Sequence, residues 1–195
     1  MVKISNFIYL ILALLILSAC SSDPIPKPRG YFRIDLPEKE YVRFDSTFPY
    51  SFEYPAYGKI VPHRTAAEEP YWINLAFPQF RGQMHISYKE IDGNLYKYLE
   101  DSWTFVMKHI PKAEAINDSL VEIPERNLFG LVYSIKGTGT ASPLQFILTD
   151  SSTHFVRGAL YFNFVPNNDS LRPVIDFLAE DIRHLINTFE WEEDN

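Results

Sequence analysis

Asp169-Ser170-Leu171-Arg172-Pro173-Val174-Ile175-Asp176-Phe177-Leu178-Ala179-Glu180-Asp181-Ile182-Arg183-His184-Leu185-Ile186-Asn187-Thr188-Phe189 decides how the rest of the chain must fold. Leu171, Val174, Ile175, Leu178, Ile182, Leu185, Ile186 and Phe189 follow one another at steps of 3, 1, 3, 4, 3, 1 and 3. At 3.6 residues per turn these steps collect the apolar side chains on one face of a helix. Asp169 or Ser170 is placed to cap it, and Pro173 is expected in its first turn. A helix with one apolar face must bury that face, and the upstream sequence offers a sheet for it to cover.

Working back from that helix, four strands are predicted at about 114–123, 128–137, 144–150 and 154–165. They are separated by Pro124-Glu125-Arg126-Asn127, Gly137-Thr138-Gly139-Thr140 and Asp150-Ser151-Ser152-Thr153. Turns this short between consecutive strands imply an antiparallel meander. Before it, Asn94 caps a second helix, with Leu95, Tyr98, Leu99, Ser102, Phe105, Val106 and His109 at helical spacing and Pro111 as the stop. Tyr71–Phe77 and Gln83–Glu90 read as a hairpin turning through Pro78–Gly82, and the aromatic/polar alternation at 48–54 reads as a short edge strand. The expected fold is α+β, a mainly antiparallel sheet with two principal helices packed on it. By analogy of element order alone it is similar to sandwiches of the PsbP/Mog1 type.

The N-terminal segment has a different character. Lys3 supplies a positive charge and the eleven residues Phe7–Leu17 are almost wholly apolar. That is the length of an export-signal core and too short for a helix across a hydrocarbon layer of ~30 Å. Leu17-Ser18-Ala19-Cys20 then forms a lipobox, with Leu at −3, small residues at −2 and −1 and cysteine at +1. Residues 1–19 are therefore expected to be removed between Ala19 and Cys20, and Cys20 to carry a diacylglyceryl group. Cys20 is the one cysteine of the chain, so it has no partner for an internal disulfide. Each buried CH₂ of the lipid contributes ~0.8 kcal/mol to membrane attachment. Ser21, rather than Asp, follows the cysteine, which points to the outer membrane facing the periplasm. Residues 20–30, with prolines at 24, 26 and 28, form a tether; residues 31–191 form one globular domain, and residues 192–195 an acidic tail.

The formal charge is −7, and loss of Lys3 with the signal would leave 17 basic against 25 acidic residues. No basic cluster appears, which argues against nucleic acid as a partner. His63, His85, His109, His154 and His184 show no metal-ligand spacing. Asp150 lies four residues before His154, and Ser142, Ser151 or Ser152 could complete a hydrolase-like set, but no Gly-x-Ser-x-Gly elbow accompanies them. A polar turn is the commoner meaning of such a cluster. Gly137-Thr138-Gly139 lacks the Gly-Lys-Ser/Thr of a phosphate loop. Glu190, Glu192, Glu193 and Asp194 read as a solvated acidic end. No catalytic residue, no metal and no cofactor beyond the lipid on Cys20 is expected, and no small-molecule substrate.

The aromatic excess is the remaining signal. Tyr50, Phe52, Tyr54 and Tyr57 lie near Tyr71, Trp72, Phe77 and Phe80 in sequence. Such residues are enriched both in sheet cores and at protein interfaces. Core accounts for most of them. The segment 31–57, with Tyr50, Phe52 and Tyr54 at its centre, is the candidate docking surface.

Several stretches carry a family resemblance: the lipobox, Pro28–Pro37 (Pro-Arg-Gly-Tyr-Phe-Arg-Ile-Asp-Leu-Pro), Phe48–Pro55, Tyr71-Trp72-Ile73-Asn74 and His85-Ile86-Ser87-Tyr88-Lys89. Ala141–Phe146, Thr149-Asp150-Ser151, His154–Phe162 and Pro166–Leu171 continue it towards the C-terminus. Together they resemble the gliding-motility lipoprotein GldD family. The resemblance implies a part in gliding over surfaces, alongside an envelope machine tied to protein secretion. It fixes Cys20 as the lipid-bearing residue and supplies no catalytic residue. The leading expectation is a membrane-tethered, non-enzymatic assembly or interaction protein. The alternatives are a periplasmic ligand-binding domain, with a pocket between sheet and helix, and an envelope hydrolase using the Asp150/His154 turn.

Overall fold

The computed structural model describes residues 34–45, 47–63 and 68–192. The expected signal, Cys20 and the tether up to residue 30 lie outside them, as do residues 31–33. In chain order the elements are β1 (Tyr41–Phe44), β2 (Tyr50–Pro55), β3 (Lys59–Pro62), β4 (Ile73–Phe77), β5 (Gly82–Glu90) and α1 (Leu95–Met107). There follow β6 (Ala115–Ile123), β7 (Leu128–Lys136), β8 (Leu144–Thr149), β9 (His154–Phe162), α2 (Asn168–Asn187) and β10 (Glu190–Trp191). Strands β3-β4-β5-β9-β8-β7-β6 make one antiparallel sheet, and β1-β2-β10 a smaller one. The α+β architecture with two principal helices is as the periodicities predict.

Two hairpins use the same device. Pro78 opens the β4–β5 turn and Pro124 the β6–β7 turn; each starts a one-turn 3₁₀ segment closed by a left-handed residue, Arg81 (φ 51°) and Asn127 (φ 49°). The closing N–H returns to the proline carbonyl at 3.1 and 3.0 Å. Proline favours the first position because its fixed φ suits the turn and its missing N–H goes unused there.

The amphipathic helix does cover the large sheet. Leu178, Ile182, Leu185 and Ile186 pack with Met84, Ile86, Phe146, Leu148, Val156 and Leu160 of the sheet. Full burial of each such side chain stabilises the fold by ~1.5–3 kcal/mol. Gly158 in β9 makes room for the Phe146 ring, because a Cβ there would sit 2.2 Å from a ring carbon.

Three expectations are corrected. The helix starts at Asn168, ahead of Asp169 and Ser170, so Pro173 lies inside it rather than in its first turn. The reason is tertiary: Asn168 Nδ2 donates to Gly137 O (3.0 Å), Thr140 O (3.0 Å) and Thr140 Oγ1 (2.6 Å), and the Thr138 hydroxyl donates to Asp169. The strand read at 48–54 is central in the small sheet, not an edge, because β1 pairs with it on one side and β10 on the other. The acidic end is partly structural. Arg43 pairs with Glu190, the Ser51 hydroxyl donates to Glu192, and Glu192 N–H donates to Pro49 O at 3.1 Å. Glu192 thus belongs to the domain rather than to the tail.

Candidate functional site

The opposite face of the large sheet is polar. In β5, Met84, Ile86 and Tyr88 point to the core while Gln83, His85, Ser87 and Lys89 alternate to the other side. Antiparallel pairing puts Arg157 opposite Ser87, Ala159 opposite His85 and Tyr161 opposite Gln83. The register continues across the sheet, aligning Asn74, His85, Ala159, Gln145 and Tyr133 in one row. Ala159 is the small member of that row, so the longer polar side chains close over it.

Helix α1 crosses this face. Val106 packs on Tyr133 and Ile135, and the Tyr98 ring lies 5.4 Å from Phe155. Between helix and sheet stays an open cleft of about 540 Å³, walled by Trp72, Tyr98, Phe105 and Tyr161, with His63, His85, Ser87, Lys89, Asp101 and Arg157 also lining it. A second groove, about 570 Å³, lies between β6, β7 and α2 and includes Val121, Ile182 and Ile186. Neither helix therefore seals against the sheet, and the first cleft sets polar groups among aromatic walls.

Its polar groups are held by one short chain of hydrogen bonds and two separate pairs. Arg157 Nη2 donates to Gln145 Oε1 at 2.6 Å, and Gln145 Nε2 donates to His109 Nε2 at 3.1 Å. His85 Nδ1 donates to Asn74 Oδ1 at 2.6 Å. The guanidinium carbon lies 4.7 Å from the Phe105 ring centre, in cation–π contact. Lys89 pairs with Glu69 and sits 5.1 Å over Trp72. Burial lowers the pKa of Arg157, while its bond to the Tyr161 side chain acts the other way. Burial also lowers His85 below the usual histidine range, and the positive fields of His63 and Arg157 add to this. His109 is lowered by burial and then by Arg157. Both imidazoles thus favour the neutral form beside a permanent cation.

The residues singled out from sequence fall elsewhere. Tyr50 and Phe52 are fully buried (0% exposed), in a stack with Phe189. The Tyr50 hydroxyl donates to Tyr71 O at 2.6 Å. They are core, and the proposed docking role is corrected for both; Tyr54 is half-buried against the same cluster. Asp150 does not form a triad. Its Oδ1 accepts from the N–H groups of Ser152, Thr153 and His154 at 3.0, 2.8 and 2.7 Å, and its Oδ2 accepts from Ser152 Oγ at 2.9 Å. Burial pushes this carboxyl up, but those hydrogen bonds outweigh it and leave its pKa low. The His154 ring instead lies 2.8 Å from the Tyr88 hydroxyl and stacks on Trp191, while Ser142 Oγ donates to Leu144 O. Asp150 shapes a turn.

What the sequence reading missed is the cleft and one helix face. Tyr96 and Trp103, seven residues apart on α1, are 77% and 52% exposed, and Ile110 beyond the helix end is 57% exposed. The polar alternation of 83–89 was the available signal for the cleft.

Fold and site together define an α+β domain with an open cleft of mixed polarity beneath one helix and no assembled Ser/His/Asp set among the described residues. The chain belongs to a known family: the model of the gliding motility lipoprotein GldD matches residues 21–191. It is accordingly a motility-related lipoprotein, anchored to a membrane of the cell envelope. Among solved structures it is similar to cyanobacterial PsbP (CyanoP) from Synechocystis sp. PCC 6803, with 12% identity and a TM-score of 0.48 over 83% of this chain and 98% of that one. No curated protein matches. Among the described residues no helix is long and apolar enough to cross a membrane.

Proposed function

We propose that the protein is a non-enzymatic docking component of the envelope machinery for gliding and its associated protein secretion. In this reading residues 1–19 are removed on export, and lipid on Cys20 holds the domain on the outer membrane, facing the periplasm. The observation that carries the docking role is the outward face of α1. Tyr96 and Trp103 are large, rigid and exposed on a regular helix, and aromatic anchors of this kind dominate binding energy at protein interfaces. The partner is another protein of the same machine.

The test is surface spreading of a deletion strain complemented with wild type, Cys20→Ala, or the double change Tyr96→Ala/Trp103→Ala. Both side chains are exposed, so the double variant is expected to accumulate normally and fail to restore spreading. Full spreading by that variant refutes the docking face. Full spreading by Cys20→Ala refutes the lipid tether, and normal spreading of the deletion strain refutes the motility role.

A further inference from the structure

The cleft between α1 and the outer sheet face holds a cation, Arg157, whose contacts are all neutral groups. Arg157 touches Gln145, Tyr161 and the face of Phe105, and among the described residues no carboxylate lies within ion-pair distance of it. A guanidinium taken partly out of water is costly without a counter-charge, and its planar fork suits a carboxylate held by two bonds. Lys89, in the same cleft, already has Glu69. The ligand that completes this site is therefore an anion that reaches Arg157.

Three features narrow its chemistry. The volume, about 540 Å³, lies within the ~300–1,000 Å³ of small-molecule pockets. Trp72 and Phe105 offer flat apolar walls, which suit a ring-shaped body. Asp101, Ser87 and His85 offer acceptors and donors for hydroxyl groups around that ring.

We propose that this cleft binds an acidic saccharide: a sugar ring whose carboxylate pairs with Arg157 while its ring lies against Phe105 and Trp72. The proposal is independent of the docking face on α1, because it uses the side of the helix turned towards the sheet.

The test uses the full lipidated chain in detergent, isotope-labelled, with the Trp72 indole N–H signal followed during titration. The probes are glucuronate, glucose, acetate and inorganic phosphate. Glucuronate is expected to shift that signal saturably and to bind at least about tenfold more tightly than the other three, the loss typical of one charge-assisted hydrogen-bond pair. Arg157→Gln is expected to abolish the preference over glucose. Arg157→Lys keeps the charge without the fork and is expected to weaken glucuronate by about tenfold. Should Arg157→Gln not fold, Phe105→Ala, altering a partly exposed helix side chain, is expected to weaken glucuronate while leaving acetate unchanged. No saturable shift with glucuronate overturns the site. Acetate or phosphate binding as tightly as glucuronate overturns the saccharide, and glucose binding as tightly overturns the role of Arg157.

Discussion

Replacing Asp181 by asparagine tests how the N-terminal segment is held to α2. Asp181 is 1% exposed, and its carboxylate accepts from Lys39 Nζ at 2.8 Å, from the Tyr41 hydroxyl at 2.8 Å and from the Tyr57 hydroxyl. Lys39 also donates to Phe177 O at 2.7 Å and lies 3.7 Å over the Phe177 ring. One side chain of the helix thus gathers three donors from the segment 39–57. Burial, followed by the bond to Asp181 and its negative field, pushes Tyr41 up to about 12; the same causes raise Tyr57 further. Asparagine has the same shape but turns an N–H₂ towards donors and removes the charge facing Lys39. Hydrogen bonds to a charged acceptor contribute ~1.5–3 kcal/mol each, and breaking a buried ion pair costs ~3–5 kcal/mol. The three bonds share one acceptor group, so their effects do not add. Lys39 keeps 27% exposure and a second carboxylate, Glu180, at 3.3 Å. The expected loss for Asp181→Asn is therefore about 3 kcal/mol, at the lower end of the range for a broken buried pair. In urea this corresponds to a midpoint lowered by roughly 1.5 M at a slope of ~2 kcal/mol/M. Tyr57→Phe, which removes one donor and leaves the charge, is expected to lose about 1.5 kcal/mol, the lower end of the range for one bond to a charged acceptor. An Asp181→Asn midpoint close to wild type would refute the reasoning, since it would mean the carboxylate contributes no more than a neutral amide.

Other substitutions separate core from surface. Gly158→Ala pushes a methyl group into the buried Phe146 ring and is expected to cost ~1–3 kcal/mol in urea unfolding; wild-type stability would refute the close approach. Tyr50→Ala is expected to cost ~3–5 kcal/mol, as for other buried aromatic truncations, whereas Trp103→Ala stays within ~0.5 kcal/mol. Equal effects on thermal unfolding would overturn that division. Acidification acts through His85 and His109, whose folded pKa values lie below the unfolded 6.5 because of burial and then neighbouring positive charge. The unfolded chain takes up those protons first, so stability is full above about pH 6.5 and falls as pH drops from there towards the folded values. Urea midpoints measured between about pH 7.5 and pH 5.5 should show this decline, and His85→Gln should flatten it. Asp150 acts lower, because its folded pKa lies below 3.8: its contribution is present above that value and lost as pH falls through the folded one.

Much of the fold is written locally. The face of α2, the β4–β5 hairpin and the meander from β6 to β9 are legible because side-chain period and turn chemistry involve neighbours only a few residues apart. The lipobox is local too, and its reading rests on four adjacent residues. By contrast β1, β3 and β10 span four, four and two residues. No period shows in so short a stretch; β1 and β3 exist because the next strand along the chain completes their hydrogen bonds, and β10 because β2, far away in sequence, does so. Their presence turned β2 from an edge into a central strand.

Aromatic content at 48–57 was equally ambiguous. Phe189, more than 130 residues beyond Phe52, stacks with Tyr50 and Phe52 and makes them core. The cleft depended still more on tertiary structure. Trp72, His85, Phe105 and Arg157 come from four elements or their flanks, and strand register together with the crossing of α1 brings them to one face. Alternation along β5 showed that a polar stripe existed, but it could not show whether the charge on Arg157 would meet a carboxylate. Periodicity is set by bonds along the chain, whereas compensation of a charge is set by what the fold places across from it.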